Sequence, residues 1–197
     1  MILAYHGIIT TYGFWLPNDP RGSWSDFVWS WELSRFGPAT KVETCRSVAA
    51  APHNRAIRRA AKEALLYPEV HFDGHQALSV AAGFATAIEE GGYRVYACSI
   101  LPEHVHLVIG RHERTIERIL AHMKAKASSR LNADGRHPLA GYVDRYGRTP
   151  SPWAAKRWKC YLDSVADIVR AIRYVEQNPI KEGKRAQRWP FVVPWDG

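Results

Sequence analysis

The stretch Leu101-Pro102-Glu103-His104-Val105-His106-Leu107-Val108-Ile109 leaves this chain few choices. It is aliphatic and β-branched with two imidazoles set into it, and reads as a buried strand ending at Gly110. Along a strand, residues i and i+2 point to the same face. His104 and His106 therefore stand side by side on one face of a sheet, with Val105 and Leu107 on the other. Two imidazoles rooted in a stiff strand are half of a metal site. The rest of the chain has to supply the other half.

Residues 2–12 are rich in β-branched and aromatic side chains and predict the first strand, which contains His6. A single His on a strand is more often a hydrogen-bonded structural residue. It faces the His pair only if the two strands are neighbours. Residues 13–52 lack clean periodicity and carry Trp15, Trp24, Trp29 and Trp31, half of the eight tryptophans. The tryptophans argue against disorder. They offer either a platform for splayed bases or a small core that pins an insertion, and packing is the commoner use of large aromatics near turns. A basic helix follows from His53 to Leu66, ended by Tyr67-Pro68. A second helix over 74–90 has an apolar stripe of Leu78, Ala81, Ala82, Ala85 and Ile88, closed by Gly91-Gly92. Residues 93–100 alternate as a strand, and Leu101-Pro102-Glu103 turns into the His strand. The helix over 113–131 is lined by Ile116, Ile119, Leu120, Met123 and Ala127. Residues 132–152 form a loop, 158–162 a short strand, 164–178 a last helix, and 179–197 an irregular tail.

The order strand, helix, strand, strand, helix, strand is the ferredoxin-like split βαβ pattern. The expected fold is α+β: one domain over 1–197, with an antiparallel sheet carrying helices on one face. A Trp-rich insertion over 25–72 and a C-terminal helix complete it. In that topology the first and third strands are central and adjacent, which brings His6 near the His pair.

Charge placement narrows the partner. Residues 1–99 carry nine Lys+Arg and nine Asp+Glu, net zero. Residues 100–197 carry eighteen basic and ten acidic groups, so all of the net +8 lies in the half with the His pair. Segregated basic charge is the footprint of a polyanion partner more than of a merely solubilising surface. No run of 18 apolar residues predicts a membrane helix. The N-terminus lacks the features of a signal peptide. Cys45, Cys98 and Cys160 fit neither a disulfide framework nor a thiolate site, which suggests a reducing cytoplasm.

The last helix supplies candidates for the missing half of the site. Val165, Ile168, Val169, Ile172 and Val175 form its apolar face. At about 100° per residue, Tyr174 lies about 155° from the centre of that face. Asn178 is four residues on, one turn above Tyr174 on the same side. On the helix alone, both read as ordinary surface and helix-end residues. Taken with the strand, the combination is sharper.

Pro102-Glu103-His104-Val105-His106-Leu107 resembles the His-hydrophobic-His (HUH) motif of the single-tyrosine HUH transposases. Arg173-Tyr174-Val175-Glu176-Gln177-Asn178-Pro179-Ile180 resembles the tyrosine-helix motif of the REP-associated tyrosine transposases (RAYT). The opening Thr11-Tyr12-Gly13-Phe14-Trp15-Leu16-Pro17-Asn18-Asp19-Pro20-Arg21-Gly22-Ser23-Trp24 and the helix with Lys124-Ala125-Lys126-Ala127-Ser128-Ser129-Arg130-Leu131 are similar to the group as well. The resemblance spans most of the chain outside residues 25–72.

The resemblance implies a metal-dependent, single-stranded DNA endonuclease and strand transferase acting on hairpin-containing DNA. His104, His106 and Asn178 would bind one divalent ion, Mg²⁺ or Mn²⁺. Tyr174 would be the nucleophile that forms a 5′-phosphotyrosine. Lys124, Lys126, Arg130, Arg145, Arg148, Lys156, Arg157 and Lys159 would contact phosphates. The protein would be a monomer or homodimer with no membrane partner. The alternative is a non-catalytic, transposase-derived binder of hairpin DNA or RNA. An unrelated metal hydrolase or oxygenase would want a carboxylate ligand, and Glu103 points away from His104 if the strand is regular.

Overall fold

The computed structural model describes residues 1–17, 19, 28, 31–39 and 54–197, with the backbone alone at 156 and 157. Its strands are β1 (Ala4–Thr11), β2 (Val95–Ile100), β3 (His104–Gly110) and β4 (Trp153–Leu162). They form one antiparallel sheet in the order β2-β3-β1-β4. The helices are α1 (Trp31–Ser34), α2 (Arg55–Glu63), α3 (Gly74–Gly91), α4 (Ile116–Ala133) and α5 (Val165–Lys181). The split βαβ order and the central pair β1 and β3 are therefore as the sequence predicts.

The pleat of β3 sorts its side chains between two cores. Val105, Leu107 and Ile109 join Ile119, Leu120 and Met123 of α4 and Val80 and Phe84 of α3. Val108 faces the other way, with Ala4, Tyr96, Ala97 and Leu162, against Ile168, Ala171 and Val175 of α5. Thus α3 and α4 cover one face and α5 the other. The face with His104 and His106 is the α5 face.

Local chemistry fixes ends of two of the three long helices beside the sheet. Asp73 and Gln76 form a reciprocal capping box at the start of α3, and Gly92 ends it at φ 65°. Ser164 accepts from the Asp167 N–H to start α5. The contact between α3 and α4 has no room to spare. A Cβ built on Gly83 meets the Ala127 Cα at 2.5 Å. Gly83→Ala should therefore destabilise the protein by about 1–3 kcal/mol, although Ala is the better helix former. A lower urea midpoint in equilibrium unfolding is the expected result, and an unchanged one would disprove this packing.

Two boundaries differ from expectation. β4 starts at Trp153 rather than 158, because the buried Trp153 ring packs on Phe72 and Phe84 and draws the chain into the sheet early. α5 does not stop at Asn178 but runs through Pro179 to Lys181. The residue before a proline is biased away from helical geometry. Here Asn178 and Pro179 are both buried, and the Glu182 N–H closes the helix on the Asn178 and Pro179 carbonyls. Cys160 is disulfide-bonded, against the expectation of no disulfide, while Cys98 is a buried free thiol.

The expected insertion lies only partly within the described residues. Trp24, Trp29 and residues 40–53 fall outside them. Of the part described, Trp31 is exposed on α1, and Arg58 of α2 pairs with the buried Asp19 carboxylate at 3.5 Å. Val70 and Phe72 return to the main core and bond to Tyr12 and Pro102. The tail runs beside β2. Gln187 bonds both the N–H and C=O of Ile100, and the Val193 N–H bonds Val95. This tail shields an edge that would otherwise offer unpaired backbone groups. Among the described residues, no helix is long and apolar enough to cross a membrane.

Candidate active site

Register decides which histidines meet. β1 and β3 pair Ile8 with His106 and His6 with Val108. His6 and His106 therefore lie on one face as diagonal neighbours. Their rings stack at 5.3 Å between centroids, and His6 Nε2 lies 3.0 Å from His106 Nδ1. The His104 and His106 rings stand edge to face at 4.9 Å. Trp158 of β4 packs on His6 at 5.5 Å, and Phe14, just past β1, packs on His104 at 5.6 Å. The three imidazoles are thus held in an aromatic cradle.

α5 completes it from the opposite side. The Tyr174 ring lies 5.4 Å from the His106 ring and 5.8 Å from the His6 ring. It remains 39% exposed, so a large substrate can reach the phenol. Asn178 is buried one turn further, with Nδ2 3.5 Å from His104 Nε2. A flip of the carboxamide presents Oδ1 there instead. Lys181 Nζ lies 5.3 Å from the Tyr174 ring centroid. A single chain therefore gathers His104, His106, Tyr174 and Asn178, all expected from the sequence.

Burial sets the protonation states. It pushes His6 down to about 4. It also pushes His106 well below the usual imidazole range, helped by any charge on His104 and His6. Both stay neutral near pH 7, as metal ligation requires of an imidazole. When His106 Nδ1–H donates to His6 Nε2, the His106 Nε2 lone pair is left for an ion, and His6 fixes both tautomer and ring orientation. Burial and then the Glu182 charge push the Tyr174 phenol up. Burial, partly offset by Lys184 and reinforced by Glu103, raises Glu182.

The donor set can be weighed against a divalent ion. Among the described residues, no three His, Cys, Asp or Glu side chains are assembled as a metal cluster. Two imidazole nitrogens plus a carboxamide oxygen form a mixed, open set. Such a set suits a catalytic ion that keeps positions for water and phosphate, rather than a closed structural one. The residues fit.

The neutral imidazoles also predict a pH effect on stability. The unfolded chain takes up protons on His6 below about pH 6.5, while the folded one resists until about 4. Stability is therefore complete above about 6.5 and falls as pH drops toward 4, by about 3 kcal/mol for His6 alone. Urea midpoints in EDTA should fall between pH 7 and pH 5, and His6→Gln should flatten that fall. Equal midpoints at both pH values would show that His6 is not buried as a neutral group.

The expected phosphate contacts are dispersed. Lys126 pairs with Glu90 at 2.6 Å and Arg130 with Asp134 at 2.9 Å, on the α4 side of the sheet. Lys124 Nζ donates to the Ala154 carbonyl, and Lys159 pairs with Glu117. Arg145 and Arg148 flank the exposed Tyr146 ring, with Arg148 also paired to Asp144. The side chains of Lys156 and Arg157 are outside the described residues. The sequence left His6 open and did not single out Trp158 or Glu182. Glu182 Oε1 stands 3.7 Å from His104 Nε2, and its spacing of eight from Tyr174 was the available signal.

A split βαβ sheet with paired histidines facing a tyrosine helix defines the class of fold. No family model matches the chain, and no curated protein does. Among solved structures, it is similar to a REP-associated tyrosine transposase bound to a REP hairpin. That match has TM-score 0.50 and 13% identity over 100% of this chain and 87% of the other. A proposed transposase from Deinococcus radiodurans R1 matches with TM-score 0.40 and 13% identity over 94% of each chain. The chain thus has the fold of a REP-associated tyrosine transposase, the group that its motifs resemble.

Proposed function

We propose that this protein cleaves and rejoins single-stranded DNA beside a hairpin, through a covalent phosphotyrosine. One observation carries the reading: on one chain, Tyr174 packs on His6 and His106 while Asn178, one turn on, faces His104. The hairpin in the similar transposase structure supports the choice of substrate.

Tyr174 Oη attacks the scissile phosphorus, forming a Tyr–O–P bond and breaking the P–O3′ bond. The phenolic proton is lost and the departing 3′ oxygen ends as a hydroxyl. Joining is the reverse, with a 3′-hydroxyl displacing the tyrosine. His104, His106 and Asn178 would hold Mg²⁺ or Mn²⁺, which polarises the phosphate and offsets charge at the transition state. His6 keeps His106 oriented for that task. Lys181 brings a positive charge beside the phenol, where phosphate must sit. Because burial raises the phenol's pKa, Tyr174 rests protonated and unreactive until substrate arrives.

The test is a denaturing gel of the protein incubated with labelled hairpin-bearing single-stranded DNA and Mn²⁺. A band in which label and protein co-migrate supports the reading. Salt-sensitive, metal-independent binding with no such band for a panel of hairpins would leave a non-catalytic binder.

A further inference from the structure

A carboxylate borders the same gap as the His pair and Asn178. Because α5 continues through Pro179, Tyr174, Asn178 and Glu182 fall at i, i+4 and i+8. At about 100° per residue they drift by only about 80° and line one side of the helix. Glu182 Oε1 is 3.7 Å from His104 Nε2, the atom that Asn178 Nδ2 approaches to 3.5 Å. The first separation exceeds hydrogen-bond range and the second is at its limit. Donors sharing one divalent ion, with bonds of about 2.1–2.2 Å, stand about 3.0–3.6 Å apart. Both separations from His104 are already close to that spacing.

Electrostatics leaves Glu182 in want of a cation. It is the C-cap of α5, at the negative end of the helix dipole, where a carboxylate is disfavoured. A divalent ion at His104 reverses the balance.

We propose that Glu182 is a further ligand of the ion held by His104, His106 and Asn178. This rests on the metal reading above and adds to it. The His, His, Asn set contains no anionic oxygen, and Glu182 gives the site the hard anionic oxygen that Mg²⁺ and Mn²⁺ prefer. It also couples the end of α5, and with it Tyr174, to metal occupancy.

The experiment is a Mn²⁺ titration followed by the EPR signal of free Mn²⁺, on the full chain with and without hairpin DNA. Wild type is compared with Glu182→Gln, His106→Ala and Tyr174→Phe. Glu182→Gln, which keeps a neutral oxygen but loses the charge, should raise the Mn²⁺ Kd at least about tenfold and keep the wild-type melting temperature in EDTA, and Tyr174→Phe should bind as wild type. If Glu182→Gln binds Mn²⁺ as wild type while His106→Ala does not, the assignment of Glu182 is wrong and the site stands. If the loss of binding comes with a lower melting temperature in EDTA, Glu182 is a helix-end contact and the assignment also fails. If wild type binds no Mn²⁺ with or without DNA, the metal reading falls together with it.

Discussion

Tyr174→Phe is expected to abolish the covalent protein–DNA band while leaving the fold and hairpin binding intact. Among the described tyrosines, Tyr174 alone packs its ring on both His6 and His106. Phenylalanine preserves those ring contacts and the position under Lys181. Burial raises the phenol's pKa, so the hydroxyl is neutral at rest and its removal deletes no charge. The stability change should stay within about 0.5 kcal/mol, the usual range for a partly exposed site. The chemical loss is of another order, since removing a covalent nucleophile typically costs about 10⁴-fold or more. The checks are adduct formation on a denaturing gel, urea unfolding, and hairpin affinity in EDTA. A persistent adduct would assign the nucleophile elsewhere, and lost hairpin affinity would make Tyr174 a binding residue.

That variant can be chosen from the sequence, where geometry marks the position and the motif resemblance implies its role. His104 and His106 share a face because strand geometry has a period of two. Tyr174 stands out because a helix period of 3.6 removes it from the apolar stripe. The split βαβ order does not say which face the last helix covers; the packing of Ile168, Ala171 and Val175 on Val108 settles it. His6 could not be placed in the same way, because its contact depends on Ile8 pairing with His106. Strand order does not reveal register, and a one-residue slip would turn His6 to the α4 face. Glu182 stayed hidden for a different reason. The local bias before Pro179 argues for a helix end at Asn178, and tertiary burial of Asn178 and Pro179 overrides it. The basic surface was legible as a count but not as a map. Lys126 meets Glu90 through the packing of α4 on α3, which charge totals cannot show.

His106→Ala should be the most damaging change among the metal-facing residues, and for two separable reasons. His106 is only 3% exposed, between His6, His104 and Tyr174. Truncation leaves a cavity and strands the His6 Nε2, for a stability loss of about 2–4 kcal/mol. It also removes a direct donor, so Mn²⁺ affinity should fall by more than the tenfold to hundredfold typical of supporting residues. The adduct should fall at least as far. A double-mutant cycle with His6→Ala separates the two losses. Removing both imidazoles deletes the stranded partner, so the paired variant should be about 1 kcal/mol more stable than additivity predicts. Its Mn²⁺ affinity should recover nothing, because the donor is still missing. Affinity that recovers with stability would mean that His106 serves the fold alone and that the ion, if bound, is held elsewhere.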